Sequence, residues 1–233
     1  MKLSVIVPVY NEAQTISEVI DRIRLVDIGE VEKEIIIAND GSEDGTRRAI
    51  DESAWRGDRR VQVHESPINL GKGAAIRLGL RYATGDVLLI QDADLELDPH
   101  EYHALLVPIV DGRADVVYGS RFLGKQNAVP LRTRAANRFL TLVTNVLYGA
   151  SLTDMETGYK VFRREALAGI RLRCVGFDFE PEVTAKLLLA GRRIVEVPIG
   201  YSPRRHEEGK KVRWTDGLDA LYVLLKYRLT GGR

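Results

Sequence analysis

The sequence predicts an α/β fold: one domain built on a mostly parallel sheet with helices flanking it. Three observations lead there. Short apolar runs rich in β-branched residues, at about 3–9, 34–38, 61–64, 87–90 and 115–119, alternate with segments of helical spacing. Val87-Leu88-Leu89-Ile90 is apolar without interruption, as expected of a strand buried on both faces. Finally, 233 residues with 45% hydrophobic and 29% charged content are enough for a full core in a single globular domain.

Each element has a local reason. The first run ends at Pro8-Val9-Tyr10-Asn11-Glu12, and Ile16, Val19, Ile20 and Ile23 then recur at helical spacing, predicting a helix over about 13–25. The second run ends at Asn39-Asp40-Gly41-Ser42, and its helix is expected from Asp44-Gly45-Thr46 to Trp55. After the third run, Gly71-Lys72-Gly73-Ala74-Ala75 opens a helix reaching Ala83. The fourth run is followed by a helix begun at Pro99, since proline suits a first helical position. Beyond the fifth, Arg132, Arg134 and Arg138 lead into a helix carrying Phe139, Leu142, Val143 and Val146. Residues 202–213 are polar and cationic, contain Gly and Pro, and read as a mobile loop. In the last helix, over about 215–229, Leu218, Leu221, Tyr222, Leu225 and Leu229 share a face, with Lys226, Arg228 and Arg233 nearby. Two readings of that face stay open: contact with a membrane surface, or packing on the domain's own sheet.

Composition narrows the setting. The single cysteine, Cys174, excludes an internal disulfide and fits a reducing compartment. The amino-terminal run reads as a strand rather than a signal peptide, and no apolar stretch is long enough to span a bilayer. The expectation is a cytoplasmic protein with peripheral membrane contact. Residues 1–116 hold 13 Lys+Arg against 22 Asp+Glu, and residues 117–233 hold 21 against 11, so a net charge of +1 conceals two halves of opposite sign. A cationic half suits anionic substrates or membrane phosphates, although two complementary faces could equally pack together. No nucleic-acid partner is expected.

In a parallel sheet, ligands bind beyond the carboxyl ends of the strands. Pro8-Tyr10-Asn11-Glu12, Asp40-Gly41-Ser42, Asp92-Ala93-Asp94 and Ser120-Arg121 all fall there. Asp92 and Asp94, one residue apart, point to the same side of an extended backbone. They offer hard oxygen ligands for magnesium or manganese. The first strand-to-helix turn lacks the glycine fingerprint of dinucleotide-binding folds. Gly71-Lys72-Gly73 is too short for an ATPase-type phosphate loop; a close backbone crossing is its other reading.

Taken in order, Val5-Ile6-Val7-Pro8-Val9-Tyr10-Asn11-Glu12, Asn39-Asp40-Gly41-Ser42-Glu43-Asp44-Gly45-Thr46, Asn69-Leu70-Gly71-Lys72-Gly73-Ala74-Ala75 and Asp92-Ala93-Asp94-Leu95-Glu96 resemble the motif set of family 2 glycosyltransferases. Asp154-Met155-Glu156-Thr157-Gly158-Tyr159-Lys160 and Phe177-Asp178-Phe179-Glu180-Pro181-Glu182 continue the resemblance, which is nearest to the polyprenyl- or dolichol-phosphate mannosyl- and glucosyltransferases. It implies a GT-A fold with a nucleotide-sugar half (1–116) and an acceptor half (117–233). The implied donor is a GDP- or UDP-linked hexose, and the implied acceptor is a lipid phosphate. By resemblance, Pro8, Tyr10, Glu12, Asp40, Lys72 and Asp92 bind the nucleotide. Asp92, Asp94 and Glu96 hold Mg2+ or Mn2+, with Glu96 standing where some relatives carry Gln. Arg121, Arg132 and Arg134 take the acceptor phosphate, and Arg204 and Lys210 belong to a loop over the donor. Asp94, Arg121 and Asp154 form the catalytic set; Asp154, Glu180 and Glu182 are the carboxylates available as a base, with Arg121→Ala expected to cost far more turnover than Asp154→Asn. Many members carry transmembrane helices after the catalytic domain; none is read in these residues. The alternatives are transfer to a sugar or glycolipid hydroxyl, nucleotidyl transfer, or nucleotide-sugar binding without turnover.

Overall fold

Strand β1 (Lys2–Val9) runs through the interior of a seven-stranded sheet ordered β3-β2-β1-β4-β6-β5-β7. This computed structural model describes residues 1–123, 129–203 and 214–232. β1 pairs in parallel with β2 (Glu32–Asp40) and β4 (Val87–Ile90), β2 pairs in parallel with β3 (Val61–Ser66), and β5 (Val116–Ser120) pairs in parallel with β7 (Ile194–Pro198). Between these two blocks lies β6 (Lys160–Arg163), antiparallel to both β4 and β5. The sheet is therefore mostly parallel, as the sequence predicts.

Side-chain alternation places one core on each face. Leu3, Val5, Val7 and Val9 of β1, with Val87 and Leu89 of β4, meet Ile16, Val19, Ile20 and Ile23 of α1 (Ile16–Leu25) and Tyr102, Leu105, Leu106 and Ile109 of α4 (Tyr102–Val110). Ile6, Leu88 and Ile90 point the other way, toward Ile76 of α3 (Lys72–Tyr82) and Phe179, Val183 and Leu187 of α6 (Phe179–Leu189). All four side chains of β4 are buried. At about 1.5–3 kcal/mol for each such residue, this explains why the run tolerates no polar position. A third cluster joins α5 (Leu131–Tyr148) and α7 (Trp214–Thr230) through Leu140, Met155, Ala220, Val223, Leu224 and Tyr227.

Several boundaries differ from expectation. α2 covers only Thr46–Asp51, and Trp55 is buried beyond its end. Pro99–Glu101 forms a 3-10 turn capped by the Asp98 side chain, with α4 following it. The inward face of α7 is Ala220, Val223, Leu224 and Tyr227. Of the face anticipated from sequence, only Leu221 packs against the third cluster, whereas Leu218, Tyr222, Leu225 and Leu229 are exposed.

Candidate active site

The parallel strands β1, β2, β4 and β5 finish on one edge at Val9, Asp40, Ile90 and Ser120. Because β6 is antiparallel, its first residue, Lys160, lies opposite both Ile90 and Tyr118. The preceding loop, 154–159, is thereby delivered to the same edge, between the ends of β4 and β5.

On the β1–β2 side, Pro8 is buried and lies beyond the part of β1 that pairs with β4, so its missing N–H breaks no bond there. Tyr10 is half-buried. The Glu12 N–H donates to Thr46 Oγ1 at 2.8 Å, and Thr15 Oγ1 lies 2.9 Å from Glu12 Oε2 and 2.7 Å from the Ala93 carbonyl, tying this turn to the aspartate loop. Asp40 is buried, and its carboxylate accepts from the backbone N–H groups of Leu70 (3.1 Å) and Gly71 (2.6 Å). The Gly71 stretch is a close crossing. Gly71 has φ +109°, and a Cβ there would lie 2.6 Å from the Val175 carbonyl. The N–H groups of Gly73 and Ala74 donate to the Gly176 and Val175 carbonyls, so these first amides of α3 are already used.

Lys72 reaches across the cleft, with Nζ 2.8 Å from Asp92 Oδ1 and 2.9 Å from Glu180 Oε1. Burial opposes its charge, yet the Asp92 and Glu180 carboxylates raise its pKa above the ordinary lysine value. In the loop after β4, the Asp94 carboxylate accepts from the Glu96 N–H at 3.1 Å. Leu95 between them takes φ +59°, a left-handed conformation costing a non-glycine residue about 1–2 kcal/mol. Glu96 Oε2 accepts from the Tyr201 hydroxyl at 3.0 Å. Among the described residues, no three His, Cys, Asp or Glu side chains gather closely enough to hold a metal by themselves. Asp92, Asp94 and Glu96 thus share one loop without forming a three-carboxylate cage.

At the β5 end, Arg121 is only 9% exposed and pairs with the fully buried Asp154. Nε donates to Oδ2 and Nη2 to Oδ1, both at 2.8 Å, and the Arg121 N–H adds a bond of 3.0 Å to Oδ2. Burial works against the guanidinium charge, but Asp154 more than offsets it and raises the pKa. The Asp154 N–H is held by Glu196 of β7 at 2.9 Å. The Arg121 guanidinium carbon lies 5.3 Å from the Tyr201 ring centre and 5.8 Å from that of Phe122. Arg138 approaches the same Phe122 ring at 6.0 Å, while Arg132 is exposed and Arg134 half-buried in the first turn of α5. Arg138 thus shares a ring with Arg121. Glu180 belongs to the Lys72 pair. Glu182 accepts from the Arg173 and Cys174 amides, Lys186 and Tyr227, a structural set of partners. Arg204 and Lys210 lie outside the described residues.

Two further residues belong to the site, Gln91 and Glu156, neither of which stands out as functional in the sequence. The Gln91 Oε1 accepts from Tyr102 (2.8 Å) and Tyr159 (2.7 Å), and Nε2 donates to the Asp92 carbonyl at 3.0 Å, so Gln91 fixes the root of the aspartate loop. The signal in the sequence is a polar residue placed directly between the apolar run of β4 and the Asp-x-Asp. Glu156 has a buried Oε1 with no hydrogen-bond partner. Burial, then the nearby Glu180 carboxylate, pushes its pKa up to about 7.

The family described as Glycosyl transferase family 2 matches residues 4–171. A polyprenol monophosphomannose synthase of Mycolicibacterium smegmatis is 32% identical over 208 residues, covering 86% of this chain and 77% of that protein. An undecaprenyl-phosphate mannosyltransferase of Micrococcus luteus is 31% identical over 218 residues, covering 90% and 87%. Among solved structures, glucosyl-3-phosphoglycerate synthase from Mycobacterium tuberculosis, in complex with Mn2+, uridine-diphosphate-glucose and phosphoglyceric acid, superposes with a TM-score of 0.73 at 23% identity over 97% of this chain and 79% of that one. That last likeness establishes a shared GT-A-like fold. A family match extending from β1 through β6, together with relatives above 30% identity along most of their length, establishes more: the chain belongs to glycosyl transferase family 2 and is a glycosyltransferase.

Proposed function

We propose that this glycosyltransferase moves a hexose, mannose or glucose, from a GDP- or UDP-linked donor to a polyprenyl phosphate, with inversion at the anomeric carbon. The observation that carries the reading is Arg121: a buried guanidinium, kept charged and aimed by Asp154, at the same sheet edge as Asp92 and Asp94. A guanidinium fork suits a phosphate oxygen pair. The names of the two mannosyl-transferring relatives point to the same acceptor class.

Asp92 and Asp94 fit a divalent ion such as Mg2+ or Mn2+, which takes hard oxygen ligands and leaves its other positions to water and phosphate. Glu96, hydrogen-bonded to Tyr201, borders that position. When bound, the ion would neutralise charge on the leaving diphosphate. Pro8, Tyr10, Glu12 and Asp40 line the end of the sheet where the nucleoside would sit, and Lys72 lies beside Asp92 on the diphosphate side. The acceptor phosphate is already anionic near neutral pH, so one of its oxygens can attack the anomeric carbon without a base. The new carbon–oxygen bond forms as the bond to the diphosphate breaks, and the electron pair leaves with the diphosphate. What the protein supplies is alignment: Arg121 on one side, with Arg138 against the same Phe122 ring.

The acceptor's lipid chain calls for contact with a membrane. Among the described residues no helix is long and apolar enough to cross one. Instead α5 exposes Leu131, Phe139, Leu142 and Val146, and α7 exposes Leu218, Tyr222, Leu225 and Leu229. Exposed apolar residues interspersed with arginine and lysine suit peripheral attachment to an anionic surface.

The test is a panel of GDP- and UDP-linked hexoses, each with and without polyprenyl phosphate, with the anomeric configuration of the product read by NMR. Expected is one preferred donor, transfer dependent on the lipid phosphate, and inversion. Transfer to a sugar hydroxyl with none to polyprenyl phosphate would overturn the reading.

A further inference from the structure

We infer that Glu156 reads the transferred sugar: its unpartnered carboxyl oxygen is the hydrogen-bonding site for a hydroxyl of the donor hexose. This inference rests on the transferase reading above and deepens it.

Loop 154–159 is anchored at both ends. At one end, Asp154 is clamped to Arg121. At the other, Gly158 lies so close to Asp92 that a Cβ would collide with its carboxylate, and would also lie 3.1 Å from Leu97 Cδ1. Along the loop, Glu156 is two residues from Asp154, clamped to a residue suited to the acceptor phosphate, and two from Gly158, packed on a residue suited to the donor diphosphate. In a direct displacement, the group that passes between these two phosphates is the sugar ring.

The loop is also rigid at this point. The Lys160 Nζ, fully buried, donates to the carbonyls of Met155 (2.9 Å) and Thr157 (2.5 Å), the residues on either side of Glu156. The Met155 N–H donates to Thr141 Oγ1 at 3.1 Å, and the Thr157 hydroxyl donates to the Gly119 carbonyl. Four bonds thus fix the backbone around a side chain whose own Oε1 is buried without a partner.

Such an oxygen is an exception among buried polar atoms and calls for a partner. The neighbouring carboxylates are already engaged: Asp154 with Arg121, and Glu180 with Lys72. Glu180, Lys160, Arg121 and Asp154 are the charged groups that act on Glu156. A carboxyl among them can accept from a sugar hydroxyl when ionised, and both donate and accept when protonated. Its pKa, raised to about 7 by burial and Glu180, allows either form near neutrality. A site built to bond a substrate hydroxyl discriminates strongly against an analogue lacking it, because the buried group is then left unpaired.

The experiment compares the wild type, Glu156→Ala and Glu156→Gln. The substrates are the donor selected in the panel above and its 2-, 3-, 4- and 6-deoxy forms. With the wild type, one deoxy donor is expected to lose about 10- to 100-fold in kcat/KM, the range of a hydrogen bond to a charged group. In Glu156→Ala that deoxy donor and the parent should differ by less than about twofold, the penalty having moved from the substrate to the protein. Glu156→Gln, of nearly the same shape, should fall between the two. Donor Kd values without acceptor, measured by calorimetry, give the same comparison independently of turnover. Overturning results would be every deoxy penalty persisting unchanged in Glu156→Ala, or a uniform loss of kcat across donors with loss of the acidic limb of the pH profile, which marks a base. A wild type that transfers no hexose to polyprenyl phosphate would overturn the lipid-phosphate reading itself. An active wild type with unchanged penalties overturns the role of Glu156 alone.

Discussion

Arg121 and Asp154 face each other through two parallel bonds of 2.8 Å, inside a region where Asp154 has no exposed surface. A third bond comes from the Arg121 backbone, and Glu196 holds Asp154 from behind. The pair acts as one unit: a carboxylate buried to aim a cation. Removing either member leaves an uncompensated buried charge, which typically costs about 3–5 kcal/mol in stability.

The first prediction follows from that coupling and revises the expectation drawn from sequence. Read from the sequence alone, Arg121→Ala costs far more turnover than Asp154→Asn. Since Asp154 fixes the guanidinium, both single variants should lose turnover to a similar degree, about 100-fold or more. The double variant should be scarcely worse than either. Lipid-phosphate kcat/KM for the three variants checks it. Asp154→Asn with wild-type turnover would show that Arg121 needs no such aim.

A second prediction concerns the aspartate loop. Asp94 accepts from the Glu96 amide beside a strained Leu95, whereas Asp92 is held by Lys72. Chelation by excess EDTA, or Asp94→Ala, should abolish transfer while leaving the circular dichroism spectrum unchanged. Full transfer in excess chelator would remove the metal from the mechanism.

How much of this was readable beforehand depended on whether the signal was local. β1, β2 and β4 were legible because burial on both faces demands unbroken apolar runs, as in Ile35-Ile36-Ile37 and Val87–Ile90. α1 was legible from four apolar residues on one stripe. β6 was not: it has only Val161 and Phe162 between charged residues, and its Lys160 is tolerated because carbonyls of its own preceding loop receive the ammonium. β7 is a half-buried edge strand without an uninterrupted apolar run. In the site, the strand-end aspartates and Arg121 stood out by position. The partners that give them meaning did not, because Lys72–Asp92, Gln91–Tyr159 and Arg121–Asp154 join distant stretches of chain. The inward face of α7 was misread because the helix carries apolar residues on two sides, and it is the Tyr227 hydroxyl reaching Glu182 at 2.6 Å that marks the packed one.

A third prediction uses pH. Glu34 is a buried carboxylate at the opposite end of the sheet, accepting from Ser4, from the Thr84 amide and hydroxyl, and paired with Lys2. Burial alone would raise its pKa, but Lys2, Ser4 and Thr84 together lower it to about 2. A carboxyl with a depressed folded-state pKa stabilises the fold above its unfolded pKa, near 4.5, and loses that contribution as pH falls toward 2. Glu34→Gln should therefore lower Tm at pH 7, with the gap to wild type closing between about pH 4.5 and 2. A constant gap over that range would mean that packing, not ionisation, explains the effect.

The last prediction concerns the outward face of α7. Leu218, Tyr222 and Leu229 are 57%, 63% and 85% exposed, while Ala220, Val223, Leu224 and Tyr227 already secure the helix to the domain. The exposed residues are thus not required for packing, and their apolar area is available to a bilayer interface. Lys226 and Arg228 flank them with positive charge. Replacing Leu218 and Leu229 together by Gln should leave Tm within about 2 °C of wild type, since exposed substitutions usually change stability by under about 0.5 kcal/mol. Binding to vesicles containing anionic lipid should weaken about 10-fold or more, as each buried leucine contributes about 1.5–3 kcal/mol to insertion. Raised salt should weaken wild-type binding as well, because the cationic contribution is screened. Equal partitioning of wild type and variant onto anionic vesicles would exclude this face as the attachment surface, and equal binding to neutral and anionic vesicles at low salt would exclude the cationic contribution.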